Sequence, residues 1–148
     1  LLKQQAQRFV ALQNAQYPGV YVMAYSSKDL EGQPIELADV FYVGMSNSDG
    51  GVRERLKGFI NGIEKYRSHS GGKRFYKSYA DEQPFSTFSQ NNGGKQFFVA
   101  SVSIPCEVTK AKRSPDDLRK MGEVTRLKYY VLAHIKSKLG TEPELNKK

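Results

Sequence analysis

The feature that most constrains this fold is a pair of short apolar strings, each containing a glycine. Gly19-Val20-Tyr21 and Tyr42-Val43-Gly44 combine β-branched and aromatic residues, which favour strands. Because side chains alternate between the two faces of a strand, we expect Tyr21 and Tyr42 to share one face. The residues expected on the opposite face are Val20, Val22, Ala24, Phe41, Val43 and Met45. The sequence therefore predicts two strands whose phenols face one cleft.

The size and charge of the chain limit its class. A length of 148 residues predicts a single domain, and a formal net charge of +8 favours a polyanionic partner such as nucleic acid or an acidic membrane surface. No apolar run has the length that spans a membrane, and no stretch has the flanks of a signal peptide. We therefore expect a cytoplasmic, intracellular protein. The single cysteine, Cys106, excludes an internal disulfide.

The order of apolar and turn-forming segments predicts an α/β (α+β) domain over residues 1–148. Its centre is expected to be a small antiparallel or mixed three-stranded sheet flanked by helices. The predicted strands are residues 19–25, 40–45 and 96–104. The predicted helices are residues 1–16, 52–66 and 114–140, with an elaborated hairpin loop at 26–39, a loop at 70–72 and a short helical or irregular stretch at 73–79.

Two of these helices have clear apolar faces. In the helix predicted at 52–66, the residues that fall on one face are Val52, Leu56, Phe59, Ile60 and Ile63. The last helix has well-marked ends, because Ser114 precedes Pro115 and Asp117, a typical helix start, and Gly140 is expected to cap its C-terminus. Both helices are therefore expected to pack on the sheet.

One acidic residue of the last helix falls in line with its apolar residues. Leu127, Val131 and Ile135 recur every four positions and predict a buried ridge, and counting back one turn puts Glu123 on the same line. A buried carboxylate is costly unless a metal ion or an arginine compensates for its charge. The alternative is that the helix turns far enough to leave Glu123 in solvent, where charged residues usually lie.

These features together resemble the GIY-YIG nuclease family, whose name spells its two strand motifs. The pieces that carry the resemblance are Gly19-Val20-Tyr21, Tyr42-Val43-Gly44, Arg55-Leu56-Lys57-Gly58-Phe59, Glu123 and Pro143-Glu144-Leu145-Asn146. They cover the chain from Gly19 to Asn146 in the family's order. The resemblance implies a metal-dependent endonuclease that hydrolyses DNA phosphodiester bonds, with duplex DNA as its expected partner.

The resemblance also implies a role for each motif residue. Tyr21 would be the general base that activates water, and Tyr42 would position water or phosphate beside it. Arg55 would hold the scissile phosphate with its planar fork of donors. Glu123 would ligate Mg²⁺ or Mn²⁺, which often takes only one or two protein carboxylates. Asn146 would hydrogen-bond within the active site.

Two departures separate this chain from the family pattern. The connection between the two tyrosines is longer than in compact members, so the hairpin must accommodate an insertion, which surface loops tolerate at low entropic cost. Phe59 stands where many members carry a histidine one turn after the arginine, and phenylalanine can neither donate a hydrogen bond nor titrate. His69 is a candidate to replace it.

A basic and aromatic segment at 65–79 indicates nucleic-acid binding. It contains five Lys or Arg residues, four aromatics and no acid, and cations bind phosphates while aromatics stack on bases. The expected nucleic-acid contacts are Lys57, Arg67, His69, Lys73, Arg74 and Lys77. The alternative is a solvated basic loop that is packed by its own aromatics.

The sequence also permits three further interpretations. The chain could be a non-catalytic nucleic-acid-binding module with the same fold, and Phe59 is the first reason to consider it. RNA could replace DNA as the substrate. Arg53 could take the role assigned to Arg55, although Arg55 directly precedes the core residue Leu56, as the family's arginine does.

Overall fold

A three-stranded antiparallel sheet forms the centre of the computed structural model, which describes residues 12–65, 70–75, 77 and 96–146. The strands are β1 (Gly19–Ser26), β2 (Val40–Ser46) and β3 (Gln96–Ser103), in the order β2-β1-β3. The helices in the described ranges are α1 (Gly51–Lys65), α2 (Ser70–Phe75) and α3 (Pro115–Leu139). The predicted α+β class with its small antiparallel sheet is confirmed.

The register of β1 against β2 puts the two motif tyrosines on one face of the sheet. Tyr21 pairs with Gly44, and Met23 pairs with Tyr42. Side chains directly opposite each other in an antiparallel pair point to the same face, so Tyr21, Met23 and Tyr42 lie together. The prediction that both phenols share a face is confirmed.

A β-bulge in β2 changes the face of Phe41. The register shifts between Met23 and Ala24, where Ala24 pairs with Val40, and Phe41 is left without a partner in β1. Phe41 consequently packs in the same cluster as Tyr42. The prediction that Phe41 shares a face with the valines is wrong, because strict alternation fails at the extra residue of a bulge.

The sheet carries a different core on each face. The cluster on the α1 face consists of Tyr21, Met23, Phe41, Tyr42, Val52, Leu56, Phe59, Ile60, Phe75, Phe97 and Leu145. The cluster on the α3 face consists of Val20, Val40, Val43, Val124 and Ile135. The aromatic rings are concentrated on the α1 face, and the α3 face is mainly β-branched.

Helix α1 packs its predicted apolar face on the sheet. Val52, Leu56, Phe59 and Ile60 are all buried, while the side chain of Ile63 lies outside the described part of the chain. Helix α2 follows closely, since a Cβ on Gly72 would collide with the carbonyl oxygen of Phe59. The loop predicted at 70–72 is therefore wrong, because these residues begin a helix that lies directly against α1.

The predicted N-terminal helix at 1–16 is wrong where it can be judged. Residues 1–11 lie outside the described part, and residues 12–17 form turns in which Asn14 has a φ of 57°. The carbonyls of Ala15 and Tyr17 accept hydrogen bonds from the backbone N–H groups of Arg53 and Val52, at 2.7 and 3.1 Å. These residues cap the first turn of α1 instead of extending a helix of their own.

Helix α3 begins and ends as predicted. The Ser114 hydroxyl accepts a hydrogen bond from the Asp117 N–H at 3.1 Å, and the Asp117 carboxylate accepts one from the Ser114 N–H at 2.7 Å, which is a complete capping box. Gly140 caps the C-terminus in the left-handed conformation with a φ of 78°. Of the predicted ridge, Ile135 is buried, and Leu127 and Val131 are half-buried.

The connections between these elements match the predictions made for them in part. Where the sequence predicted a loop at 26–39, residues 27–39 connect β1 to β2, with a short 3-10 turn at Leu37–Asp39 before β2. Of the stretch predicted at 73–79, residues 73–75 belong to α2, and residues 76, 78 and 79 lie outside the described part. Within the described ranges, no helix is both long and apolar enough to cross a membrane.

We expect Gly44→Ala to lower the free energy of unfolding by about 1–3 kcal/mol, the usual cost of overpacking a core. A Cβ at this position would collide with the Tyr21 ring and its hydroxyl oxygen. Urea unfolding followed by circular dichroism measures the change.

The matched control is Gly122→Ala, in the exposed middle of α3, where a Cβ would meet nothing within 4 Å. Because alanine favours a helix more than glycine does, we expect this control to raise stability by about 0.5–1 kcal/mol. A Gly44→Ala protein as stable as the wild type would contradict close packing of Tyr21 on Gly44.

Candidate active site

The two motif tyrosines lie side by side but do not open onto a cleft. Tyr21 is completely buried and Tyr42 is 6% exposed, with ring centroids 6.1 Å apart. Phe59 of α1 packs on Tyr42 with 5.6 Å between ring centroids. The prediction that the phenols face an open cleft is wrong, because the bulky apolar residues of α1 cover this face of the sheet.

Arg55 completes the cluster from the second turn of α1. Its guanidinium hydrogen-bonds to the Tyr21 phenol, which is also hydrogen-bonded to Tyr42. The Arg55 residue is nevertheless exposed, so it lies at the border between the buried cluster and solvent. By contrast, the Nε atom of the neighbouring Arg53 is buried without a hydrogen-bond partner. Of the two arginines considered from the sequence, Arg55 is the one that contacts Tyr21.

The surroundings of Tyr21 keep it protonated at neutral pH. Burial raises the pKa of the Tyr21 phenol well above its ordinary value of 10.0, because the phenolate would lose its hydration. The adjacent Tyr42 phenol raises this pKa further, while the charge and the hydrogen bond of Arg55 lower it. Burial outweighs the arginine. The cluster therefore holds a neutral Tyr21 phenol between the Tyr42 ring and the Arg55 guanidinium.

Asn146 binds the outer edge of β2 between the second tyrosine and its glycine. Its Oδ1 accepts a hydrogen bond from the Val43 N–H at 2.8 Å, and its Nδ2 donates to the Val43 carbonyl at 2.8 Å. The Leu145 N–H donates to the Phe41 carbonyl at 3.0 Å. Because β2 is an edge strand, these bonds satisfy backbone groups that would otherwise be unpaired. Asn146 thus holds the strand that carries Tyr42.

Glu123 lies apart from the phenols, on the exposed side of α3. Its side chain is 59% exposed and forms an ion pair with Arg126 at 3.5 Å. The expected burial is wrong, and the alternative of a solvent-exposed carboxylate is the one found. Each step of four residues along a helix goes about 40° beyond one full turn. Glu123 is three such steps from Ile135, so the two side chains lie about 120° apart around the helix axis. Helix α3 also packs on the face of the sheet opposite to Tyr21.

The acidic side chains restrict which metal the chain can hold. Across the described ranges, no group of three or more His, Cys, Asp or Glu residues is gathered closely enough to hold an ion. A single carboxylate such as Glu123 fits Mg²⁺ or Mn²⁺, which keep water and phosphate oxygens for their other positions. It does not fit zinc, whose sites take three or four protein ligands.

The predicted nucleic-acid contacts that the structure describes lie on α1, on α2 or just after α2. Lys57 and Lys77 are exposed, and Lys73 and Arg74 are half-buried. Because Phe75 of α2 belongs to the same core cluster as Tyr21, this helix lies on the same side of the sheet as the phenols. Arg67 and His69 lie outside the described residues.

Asn47 makes a contact between the sheet and α3 that was not identified from the sequence. Its Nδ2 donates to the Met121 carbonyl at 3.1 Å and to the Thr125 hydroxyl at 3.3 Å, and its Oδ1 is buried without a hydrogen-bond partner. Asn47 therefore ties the end of β2 to the turn of α3 that carries Glu123. The signal in the sequence was a polar residue directly after a strand, which alone does not identify a partner.

Comparison with known protein families, with curated proteins and with solved structures finds no match to this chain.

We expect Asn146→Ala to lower the free energy of unfolding by about 1–3 kcal/mol, because two backbone groups of Val43 lose their partners. Asn146→Asp keeps the shape but sets a carboxylate oxygen against the Val43 carbonyl, and should cost at least as much at neutral pH. Thermal and urea unfolding measure both variants. Gln13→Ala, at an exposed turn position, is the control, and equal stability of all four proteins would contradict the role of Asn146.

We expect Tyr21 to make stability fall at alkaline pH. A group whose pKa is raised on folding contributes stability that is complete below its unfolded pKa of about 10 and is lost as the pH rises above it. The loss approaches about 1.4 kcal/mol per pH unit for one group. Urea unfolding of wild type and Tyr21→Phe between about pH 9 and pH 11 measures it. The phenylalanine variant should lose less stability over this range, and parallel curves would contradict the burial of a neutral phenol.

Proposed function

We propose that this chain is a metal-dependent endonuclease that hydrolyses DNA phosphodiester bonds. The observation that supports the proposal most is the contact of Tyr21, Tyr42 and Arg55 on one face of a small antiparallel sheet. These are the residues that the resemblance to GIY-YIG nucleases assigns to the base, the positioning group and the phosphate-binding cation. The contact of these three side chains in the structure is an observation separate from the match of the short sequence motifs.

Arg55 is proposed to bind the scissile phosphate. One side of its guanidinium is oriented by the Tyr21 phenol, and the residue is exposed, so donors are available to a ligand that approaches α1. Arginine binds phosphate oxygens through two parallel hydrogen bonds and stabilises the negative charge that develops during hydrolysis. Lys57 is exposed on the same helix and adds to the positive charge of α1.

Tyr21 is proposed to accept the proton of the attacking water, and Tyr42 to position water or phosphate beside it. This role requires the phenolate, which burial opposes and the charge of Arg55 favours. The cluster therefore assigns two functions to Arg55, which binds the phosphate and lowers the cost of ionising Tyr21.

Glu123 is the proposed ligand of Mg²⁺ or Mn²⁺ on the basis of the resemblance alone, since the structure does not bring it together with Tyr21 and Arg55. A bound divalent ion would supply a Lewis acid for the phosphate and lower the pKa of a coordinated water. Because Glu123 is exposed and already paired with Arg126, we expect weak binding of the ion by the chain alone.

DNA, with the duplex favoured, is the proposed partner, and an intracellular location is proposed with it. The net charge of +8 supports a polyanion, and the described cations Lys57, Lys73, Arg74 and Lys77 lie on α1, on α2 or just after α2. Arg67 and His69 are included from the sequence. A nuclease acting on RNA has the same chemical requirements, and competition between duplex DNA and single-stranded RNA distinguishes the two.

The second candidate function is a non-catalytic nucleic-acid-binding module. Two observations favour it, the neutral, buried state of Tyr21 and the replacement of the family's histidine by Phe59, which packs in the core. Such a module would keep the fold and the basic surface without turnover.

We expect the purified chain to nick supercoiled plasmid when Mg²⁺ or Mn²⁺ is added. Arg55→Ala should lower the rate by about 10²–10³, the usual effect of losing one donor to a developing charge. Glu123→Ala should lower it by about 100-fold or more, because the ion loses its protein ligand. Gel electrophoresis of the nicked product over time measures both rates.

The matched controls are Arg119→Ala and Asp116→Asn, exposed positions of α3 away from the phenols, and both should nick at the wild-type rate. Binding of the plasmid without nicking would establish the non-catalytic module instead. Nicking that survives Glu123→Ala unchanged would exclude Glu123 as the metal ligand and point to a contaminating nuclease.

A further inference from the structure

Two adjacent tyrosines stand out from the exposed face of α3. Tyr129 is 62% exposed and Tyr130 is 57% exposed, the most exposed aromatic residues among the described ones. Because the two rings are adjacent, they form one exposed aromatic surface, which is more informative than single scattered apolar residues. Gly122, Ala133 and Ser137 on the same side of the helix are small. Tyr130 also borders an apolar groove, together with Leu37 and Val131. The rings are therefore accessible to a ligand.

Each of these rings carries a cation of the same helix. The guanidinium of Arg126 lies 5.0 Å from the centroid of the Tyr130 ring, and its Nε donates to the Tyr130 hydroxyl at 2.8 Å. The Lys128 ammonium lies 5.9 Å from the centroid of the Tyr129 ring. These contacts place positive charge beside each ring at distances typical of cation–π interactions.

The charge of this half of α3 is of one sign. From Val124 to Leu139 the helix carries Arg126, Lys128, Lys136 and Lys138, and no acid. Two acids outside this stretch reach it, since Glu123 pairs with Arg126 and Glu142 with Lys136, both at 3.5 Å. Lys128 and Lys138 form no ion pair within the part of the chain that the structure describes. The face therefore attracts an anion.

Exposed aromatic rings beside cations match the chemistry of a single-stranded nucleic acid. Unpaired bases offer aromatic faces that stack on tyrosine, and the phosphates between them bind the neighbouring lysine and arginine. A duplex keeps its bases stacked inside and can use only the charges of this face. An acidic protein segment would bind the lysine and arginine side chains but has no bases to stack on the two exposed tyrosine rings.

We propose that the exposed face of α3 is a binding site for single-stranded nucleic acid. Tyr129 and Tyr130 stack on bases, and Arg126 and Lys128 bind the backbone. The site lies on the opposite side of the sheet from the phenol cluster, because α3 packs on the face away from Tyr21. The proposal is independent of turnover, so a chain without nuclease activity would still bind here.

The test is fluorescence anisotropy of labelled oligothymidylate and oligouridylate of about 16 nucleotides, with EDTA to prevent cleavage. We expect Tyr129→Ala and Tyr130→Ala each to weaken binding about fivefold or more, the effect of losing one stacked base. Tyr129→Phe keeps the ring and should bind as the wild type does. Tyr130→Phe keeps the ring but removes the hydroxyl that accepts a hydrogen bond from Arg126, so its loss of affinity should be smaller than that of Tyr130→Ala. Lys128→Ala should lower the slope of log affinity against log salt by about 0.7, whereas Lys110→Ala, an exposed control, should leave it unchanged.

Thermal melting of every variant checks that the fold is kept, which we expect because Tyr129 and Tyr130 are exposed and Lys128 is only half-buried. Wild-type affinity in both alanine variants would overturn the proposal. So would a loss of the same size in both the alanine and phenylalanine variants, because the rings would then not be stacking. A tyrosine-dependent dimer in sedimentation equilibrium, without an effect on oligonucleotide affinity, would also overturn it and assign the face to a second copy of the chain. Plasmid nicking by the alanine variants, measured separately, reports on the proposed nuclease alone.

Discussion

The packing of the Tyr21 ring against Gly44 is the contact on which the rest of the structure depends. It joins β1 to β2 at the centre of the sheet and leaves room for a large aromatic ring only because Gly44 has no side chain. The same ring forms part of the cluster that α1 covers, and its hydroxyl meets Arg55 on that helix. One residue therefore links the strand pair, the core and the candidate site.

This contact also places two opposing effects on the ionisation of Tyr21. The burial that makes Tyr21 a good core residue opposes its ionisation, and only the neighbouring arginine acts in the other direction. Phe59 makes the surroundings of the phenols more apolar, since it packs on Tyr42 at a position where a histidine could have added a polar group. The proposed nuclease and the proposed binding module would differ in whether the Tyr21 phenol ionises once a phosphate lies against Arg55.

Helix α3 has a buried side that packs on the sheet and an exposed side that carries charged and aromatic residues. Its inner residues Val124 and Ile135 pack on the valines of the sheet, while Asn47 ties its second turn to the end of β2. Its outer surface carries Glu123 at one end and the tyrosine pair further on. A helix has enough circumference to bury one stripe and present charged and aromatic groups on the other.

The sequence by itself determined the order of the three strands and the two long helices, the ends of α3 and the sharing of one face by Tyr21 and Tyr42, although not the turns before β1 or the start of α2. These depend on local chemistry, namely alternation, β-branched runs, the capping box at Ser114 and the glycine at 140. Only the tertiary structure decided the position of Phe41, because a bulge is a mismatch between two strands. It also decided the exposure of Glu123. Residues spaced four apart rotate gradually around a straight helix, so the side on which Glu123 lies depends on which side of α3 packs on the sheet. The burial of Tyr21 and the bonds from Asn146 to Val43 were likewise decided by the tertiary structure, since both join parts of the chain that are far apart in sequence.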